Sequence, residues 1–271
     1  MDLVNTTLWH IETRMGEEDL SLTHLARDLG VSPYHLSRAF RARTGWSVMR
    51  YLRARRLSRA ASAVAQGDDL LTVALDAGYA SHEAFTRAFS DQFGAPPSQM
   101  RGALPSNLTE PLAMTESQKS IIPDPELRDG GGFSAIGIAR EFTPETIPQI
   151  PALWAEFNAR MGEVEAAGPR CFGVCYDKTS EARFRYMAGA EAAPGSAIPK
   201  GMEQTRVPAG RYAVFTFTGH LSDLPAFIGA IWDHGLTDAG LSPTDAPDFE
   251  LYDDRMDPQT GSGTCEVWIP V

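Results

Sequence analysis

The chain has 271 residues, of which 43% are hydrophobic and 22% charged, values typical of a globular protein and far from a disordered one. A net charge of −11 would, taken whole, speak against a nucleic-acid partner, yet the charge is unevenly placed. Residues 1–110 hold 12 Arg and no Lys against 12 acids, so residues 111–271 carry the whole excess, and residues 20–101 alone hold 11 Arg against 6 acids. Such asymmetry predicts one half that meets an anion and another with a different task. No apolar stretch approaches the roughly 20 residues that span a bilayer, and the N-terminus lacks the basic start and apolar core of a secretory signal. Cys171, Cys175 and Cys265 form no CxxC pair, so a reducing cytoplasm is expected, without disulfide framework, metal or cofactor.

In chain order, the first element to stand out is an internal repeat. LARDLG at 25–30 aligns with VALDAG at 73–78, and beyond the turn Ser32/Ser81, Arg38/Arg87, Ala39/Ala88, Phe40/Phe89 and Gly45/Gly94 match. Each copy predicts a short helix, a glycine-bearing turn, an N-capping serine and a second helix ending at glycine. Leu36/Phe40 and Phe85/Phe89 lie four apart and so share one helical face. That is the plan of a helix-turn-helix. Between the copies, 47–65 predicts a helix roughly 28 Å long at 1.5 Å per residue. Tyr51, Leu52, Ala54, Leu57, Ala60, Ala61 and Val64 form its buried stripe, leaving Arg50, Arg53, Arg55, Arg56 and Arg59 for phosphate contact.

These residues resemble the DNA-binding domain of the AraC/XylS family of bacterial transcription regulators. The match is densest in 72–101: Ala74, Gly78, Tyr79, Ser81, Phe85, Arg87, Phe89, Gly94, Pro97 and Arg101, with Met100 where the family has an aromatic residue. The resemblance implies that exposed positions of the two second helices face the major groove: Tyr34, Ser37 and Arg38 in the first copy, His82, Glu83, Thr86 and Arg87 in the second. Arg suits the guanine edge, Glu the cytosine amino group and Ser/Thr either base, while Arg41 and Arg53 suit backbone positioning. The alternative for Arg38 and Arg87 is a salt bridge closing the helix pair.

A stretch rich in Pro, Ser and Thr at 105–120 predicts a linker between a helical domain at 1–104 and a second domain at 121–271. The second domain alternates strands and helices: a strand at 133–139, a helix at 147–164, strands at 170–176 and 184–190, then a strand at 211–217, a helix at 222–235 and strands at 248–252 and 265–270. The fold class is therefore multidomain, an all-α tandem helix-turn-helix domain followed by an α+β domain of two β-α-β-β repeats, with both helices on one side of the sheet and a groove between the halves.

Pro208-x-Gly210-x-Tyr212, Phe249-Glu250-x-Tyr252 and Glu266-x-Trp268-Ile269-Pro270 resemble the GyrI-like effector-binding domain, and the domain order resembles the Rob-type regulators. The resemblance places the effector-contacting glutamate at Glu250. Strand residues two apart share a face, so Glu250 with Tyr252, and Glu266 with Trp268, are expected to build an aromatic-walled anionic pocket. Tyr212 and Trp232 add apolar area. Such a pocket suits a small amphipathic cation, and an unpaired Glu250 is expected to be partly exposed or bridged by water. The alternative for both glutamates is an edge position in water beside a core aromatic.

No GxSxG elbow, HExxH helix, Walker loop or GxGxxG turn is present. The expected partners are double-stranded DNA and an organic cation, with RNA polymerase as a candidate protein partner and no membrane. An alternative function is hydrolysis of small reactive compounds, with Glu250 activating water.

Overall fold

A computed structural model describes residues 3–113, 122–143, 146–179 and 183–271. The chain forms two compact units: Met1–Gly30 with Thr44–Ser117, and Val31–Arg43 with Gln118–Val271. The second unit thus takes in a segment expected within the helical domain.

The first unit holds helices α1 (Leu3–Arg14), α2 (Leu22–Asp28), α4 (Val48–Gln66), α5 (Leu70–Asp76) and α6 (His82–Phe93), while α3 (Pro33–Thr44) lies up to Arg43 in the second. Their starts are chemically marked: the Ser21, Asp69 and Ser81 side chains accept from the N–H groups of His24, Thr72 and Ala84. Gly78, in the turn between α5 and α6, has φ +75°, and a Cβ there would lie 2.9 Å from Cζ of Arg56. Only glycine suits both the backbone and that guanidinium. The expected stripe of α4 is buried, and Leu57, Ala61 and Val64 pack with Val73, Ala74, Phe85 and Phe89.

The expected linker is partly structure. Thr109 donates its N–H to Ser58 Oγ (2.8 Å) and Leu112 to the Tyr51 hydroxyl (3.0 Å), while Arg55 donates to the Thr109 carbonyl (2.5 Å). Residues 105–113 therefore lie along α4, because the serine and tyrosine that a purely apolar stripe would lack offer them partners. The remainder, 114–120, lies outside the described residues.

In the second unit, nine strands among the described residues form one antiparallel sheet: β1 (Glu126–Gly130), β2 (Phe133–Phe142), β3 (Ala166–Tyr176), β4 (Phe184–Ala192), β5 (Glu203–Val207), β6 (Gly210–His220), β7 (Asp248–Tyr252), β8 (Met256–Asp257) and β9 (Ser262–Pro270). The order β1-β6-β9-β7-β3-β4-β2-β5 sets the repeat β2-α7-β3-β4 against β6-α8-β7-β9. The two halves meet where β3 pairs β7. β1 and β5, which the repeat did not predict, add one outer strand to each half.

Helices α7 (Ile150–Arg160) and α8 (Leu224–Ala230) pack on the same face, with Leu153, Phe157, Leu224 and Ile231 in its core. α8 runs on through a π turn, Ile231–Gly235, into Leu236–Asp238. The other face curls round a second core of Phe133, Phe172, Tyr212, Phe249 and Trp268.

Tyr51 joins α1, α4 and the 105–113 segment, since its hydroxyl also donates to Glu12 Oε1 (2.8 Å). Tyr51→Phe leaves a backbone N–H and a carboxylate oxygen without that partner, so urea denaturation should show a loss of about 1–2 kcal/mol. It should also make the chain near Leu112 more open to proteolysis.

Candidate functional site

The β3–β7 seam, between the two repeats, carries the candidate small-molecule site. Glu250 lies on β7 opposite Gly173 of β3 and is 9% exposed. A Cβ at Gly173 would overlap both Glu250 Oε2 and the Tyr186 hydroxyl, so this glycine clears the space in which the two meet. There Tyr186 donates to Glu250 Oε2 (2.5 Å), and Trp154 of α7 donates its indole N–H to Tyr186 (2.9 Å). Trp154 also stands edge-on to Tyr252, 5.1 Å between centroids. Burial pushes the Glu250 carboxyl up to about 7; the Tyr186 hydrogen bond opposes the rise, Asp248 adds to it, and Arg38 opposes it.

Glu250 was expected partly exposed or water-bridged. It is instead buried and bonded by the protein, because Tyr186, one strand further along, supplies the donor. The sequence carries a signal for this: a glycine inside an apolar strand marks a close approach.

The second expected pair does not join this site. β7 and β9 pair Glu250 with Val267 and Leu251 with Glu266, and paired residues share a face. Glu250, Tyr252 and Trp232 lie on the helix-bearing side, whereas Glu266, Trp268 and Tyr212 lie on the curled side. Glu266 accepts from Trp268 Nε1 (3.0 Å), Arg128 (3.1 Å) and Arg255 (3.2 Å). Burial acts to raise its pKa, and these hydrogen bonds outweigh it and leave the carboxyl below its ordinary value. Trp268 stacks on Phe249 at 5.4 Å.

The helix-bearing site is lined further by Phe184 and Cys175, and by residues of α3. Tyr34 and Ser37, expected on an exposed DNA-facing surface, are buried, and Arg38 is half-buried. The Arg38 guanidinium carbon lies 5.6 Å from the Trp232 ring centroid, 5.7 Å from Tyr34 and 5.8 Å from Phe184. Burial works against its charge, but the surrounding Tyr34, Cys175, Asp248 and Glu250 offset this and raise its pKa. Lys178, bonded to Asp248 and the Ala246 carbonyl, sits 4.7 Å from the Tyr34 ring. Arg38, expected to face the major groove with a salt bridge closing the helix pair as the alternative, lies in this aromatic enclosure instead.

In the first unit, α6 presents Glu83 and Arg87 to solvent, with His82 and Thr86 half-buried beside them. On α4, Arg50, Arg53 and Arg59 are exposed. Arg55 and Arg56 turn inward: Arg55 pairs with Glu12 (2.8 Å) and Arg56 donates to the Met15 carbonyl (2.6 Å). Of the five arginines of α4 expected to meet phosphate, three are therefore exposed, while two tie α4 to its neighbours. Arg41 is half-buried.

Glu250 has a measurable pH signature. In an unfolded chain it would lose its proton near the usual 4.5, but folded it keeps it to about 7. The stability this provides is fully present below 4.5 and is lost as pH rises through 7. Urea midpoints of the wild type should therefore fall between pH 5 and pH 8 more than those of Glu250→Gln. Parallel slopes would show that Glu250 is ionised throughout.

Residues 123–271 match the GyrI-like small molecule binding domain, and residues 25–103 match a helix-turn-helix domain. The chain is 25% identical to the right origin-binding protein of Escherichia coli over 94% of this chain and 93% of that protein. It is 34% identical to the transcriptional regulator BrlR of Pseudomonas aeruginosa over 144 residues, 51% of this chain and 52% of that one. The solved structure of SAV2435 bound to tetraphenylphosphonium aligns with 55% of this chain and 94% of its own, with TM-score 0.47 and 19% identity. With more than half of its length matched, the chain belongs to the GyrI-like small molecule binding family, its binding domain following a helix-turn-helix region.

Proposed function

We propose that this protein is a transcription regulator that reads duplex DNA through its helix-turn-helix region and senses a small organic cation at the Glu250 site. The observation that carries the reading is Glu250 itself: a carboxylate buried against Tyr186, with Trp154 and Tyr252 next to it, in a domain of a small-molecule binding family. A carboxylate in such a setting gains most from an opposite charge that brings its own apolar surface. The relatives support the regulatory half, since BrlR and Rob are transcriptional regulators by name. They give no support to hydrolysis. A regulator of this kind works at a promoter, which makes RNA polymerase the expected protein partner.

On the DNA side, Glu83, Thr86, Arg87 and His82 of α6 are the base-reading set, and Arg53 and Arg41 the backbone-positioning one. Tyr34, Ser37 and Arg38 are the matching set of α3 once that helix leaves its place beside Trp232 and Phe184. Two unlike reading helices suit one chain on an asymmetric site of about 20 base pairs, with half-sites about one turn apart. Arg87→Ala should cost roughly 1–3 kcal/mol and relax the preference at one base pair. Arg53→Ala should weaken all sequences alike. Footprinting with systematic base substitutions reads both effects; a palindrome filled only by a dimer would sink the one-chain arrangement.

On the ligand side, micromolar affinity, roughly −8 kcal/mol, is expected of a broad aromatic site with few fixed polar groups. Calorimetry with tetraphenylphosphonium and the neutral tetraphenylmethane core, solubilised as a sulfonamide, separates charge from shape. Glu250→Gln should weaken the cation much more than the neutral compound. Equal losses would make Glu250 a structural residue only.

A further inference from the structure

The site beside Glu250 already holds a cation, and that cation belongs to the chain. Tyr34, Trp232 and Phe184 enclose the Arg38 guanidinium at 5.6–5.8 Å, the arrangement an aromatic site offers to any organic cation. α3 is held there by further contacts of its own. Arg43 pairs with Asp233 (3.2 Å), His35 Nε2 meets the Trp232 carbonyl (3.3 Å), and the Tyr34 ring stands edge-on to Trp232 (5.4 Å). α8 comes so near that a Cβ on Gly229 would lie 3.3 Å from Ala42 Cβ.

Two features mark the contact as exchangeable. The Tyr34 hydroxyl and the Trp232 indole nitrogen are buried without hydrogen-bond partners, which weakens a seat that its aromatic area would otherwise make firm. Moreover, Tyr34, Ser37 and Arg38 form one of the two proposed base-reading sets, and with the first two buried that set cannot touch DNA in this arrangement. We propose that α3 is a built-in competitor for the cation site: Arg38 occupies the effector's position, and an organic cation that takes it releases α3 to read DNA. This rests on the reading of the Glu250 site as a cation site and adds its regulation. The effector's apparent affinity is then reduced by the fraction of molecules with α3 seated.

The close approach of Ala42 and Gly229 supplies the test, since 3.3 Å between Cβ positions is near the roughly 3.5–4.5 Å of a disulfide. In the full-length Ala42→Cys/Gly229→Cys variant, oxidation should pin α3 in place. The oxidised form should bind tetraphenylphosphonium about tenfold or more weakly than the reduced form in calorimetry, with dithiothreitol restoring affinity. It should also lose at least about tenfold in affinity for a duplex selected from a random pool by the reduced form. Equal tetraphenylphosphonium affinity in the two redox forms would overturn the competition while leaving the cation reading intact. No binding by the reduced form or the wild type would overturn the cation reading, and the competition with it. Arg38→Gln provides a second measure without a cross-link. Removing the competitor's charge should tighten tetraphenylphosphonium by about three- to tenfold, and weaker binding would overturn the proposal.

Discussion

A carboxylate taken out of water must lose its charge, gain a partner of opposite sign or collect hydrogen bonds, and Glu250 organises its surroundings around all three. Its proton is held to about neutral pH by burial. Tyr186 donates to it, itself fixed by Trp154 from the helix above the sheet. Arg38 supplies positive charge from α3. Gly173 is the condition for the whole arrangement, because any larger residue would occupy the space in which Glu250 and Tyr186 meet. Binding of a charged ligand at such a site is also proton chemistry: a cation that favours the ionised carboxylate displaces its proton, so affinity and pH are linked.

The repeat explains where this carboxylate stands. Each β-α-β-β half covers one part of the sheet with one helix, and β3 and β7 meet between the two helices. A seam of this kind is the part of the face that neither helix needs to cover. The sheet's two faces then divide the aromatic residues, with the curled side filled by Phe133, Phe172, Phe249 and Trp268 as ordinary core. Glu266 is neutralised there by Arg128 and Arg255, as a charge at the edge of a core must be.

The helical repeat was legible because its signals are local: capping serines, turn glycines and four-residue spacing act within one or two turns. The alternation that put Glu250 beside Tyr252 was legible for the same reason. Grouping Glu250 with Glu266 failed at the next level, since alternation within a strand says nothing of register between strands. The β7–β9 ladder matches even positions with odd ones, which sends the two glutamates to opposite faces. Tyr186 and Trp154 escaped notice because the groups they donate to, Glu250 and Tyr186, lie 64 and 32 positions away, with only Gly173 hinting at the meeting. The inward turn of Arg55 and Arg56 had a trace in Glu12 and in Gly78, but a run of arginines reads first as a surface. The seating of α3 had no local trace, for Tyr34 and Arg38 carry the same letters whether they face a base pair or a ring.

The π turn at Ile231–Gly235 bears on how the contact with α3 is built. A π turn takes about one residue more than an α turn, and one residue is worth about 100° of rotation around a helix. Trp232 and Asp233, adjacent in sequence, both reach α3, one through its ring and the other through Arg43, while Leu236 after the turn is still directed into the core. In a regular helix, facing α3 with two consecutive residues would set the following turn out of phase with the sheet. The extra residue uncouples the two demands. Residue count at this position is therefore what sets the contact: a relative one residue shorter here would keep the helix and its core yet face α3 with a different pair of side chains.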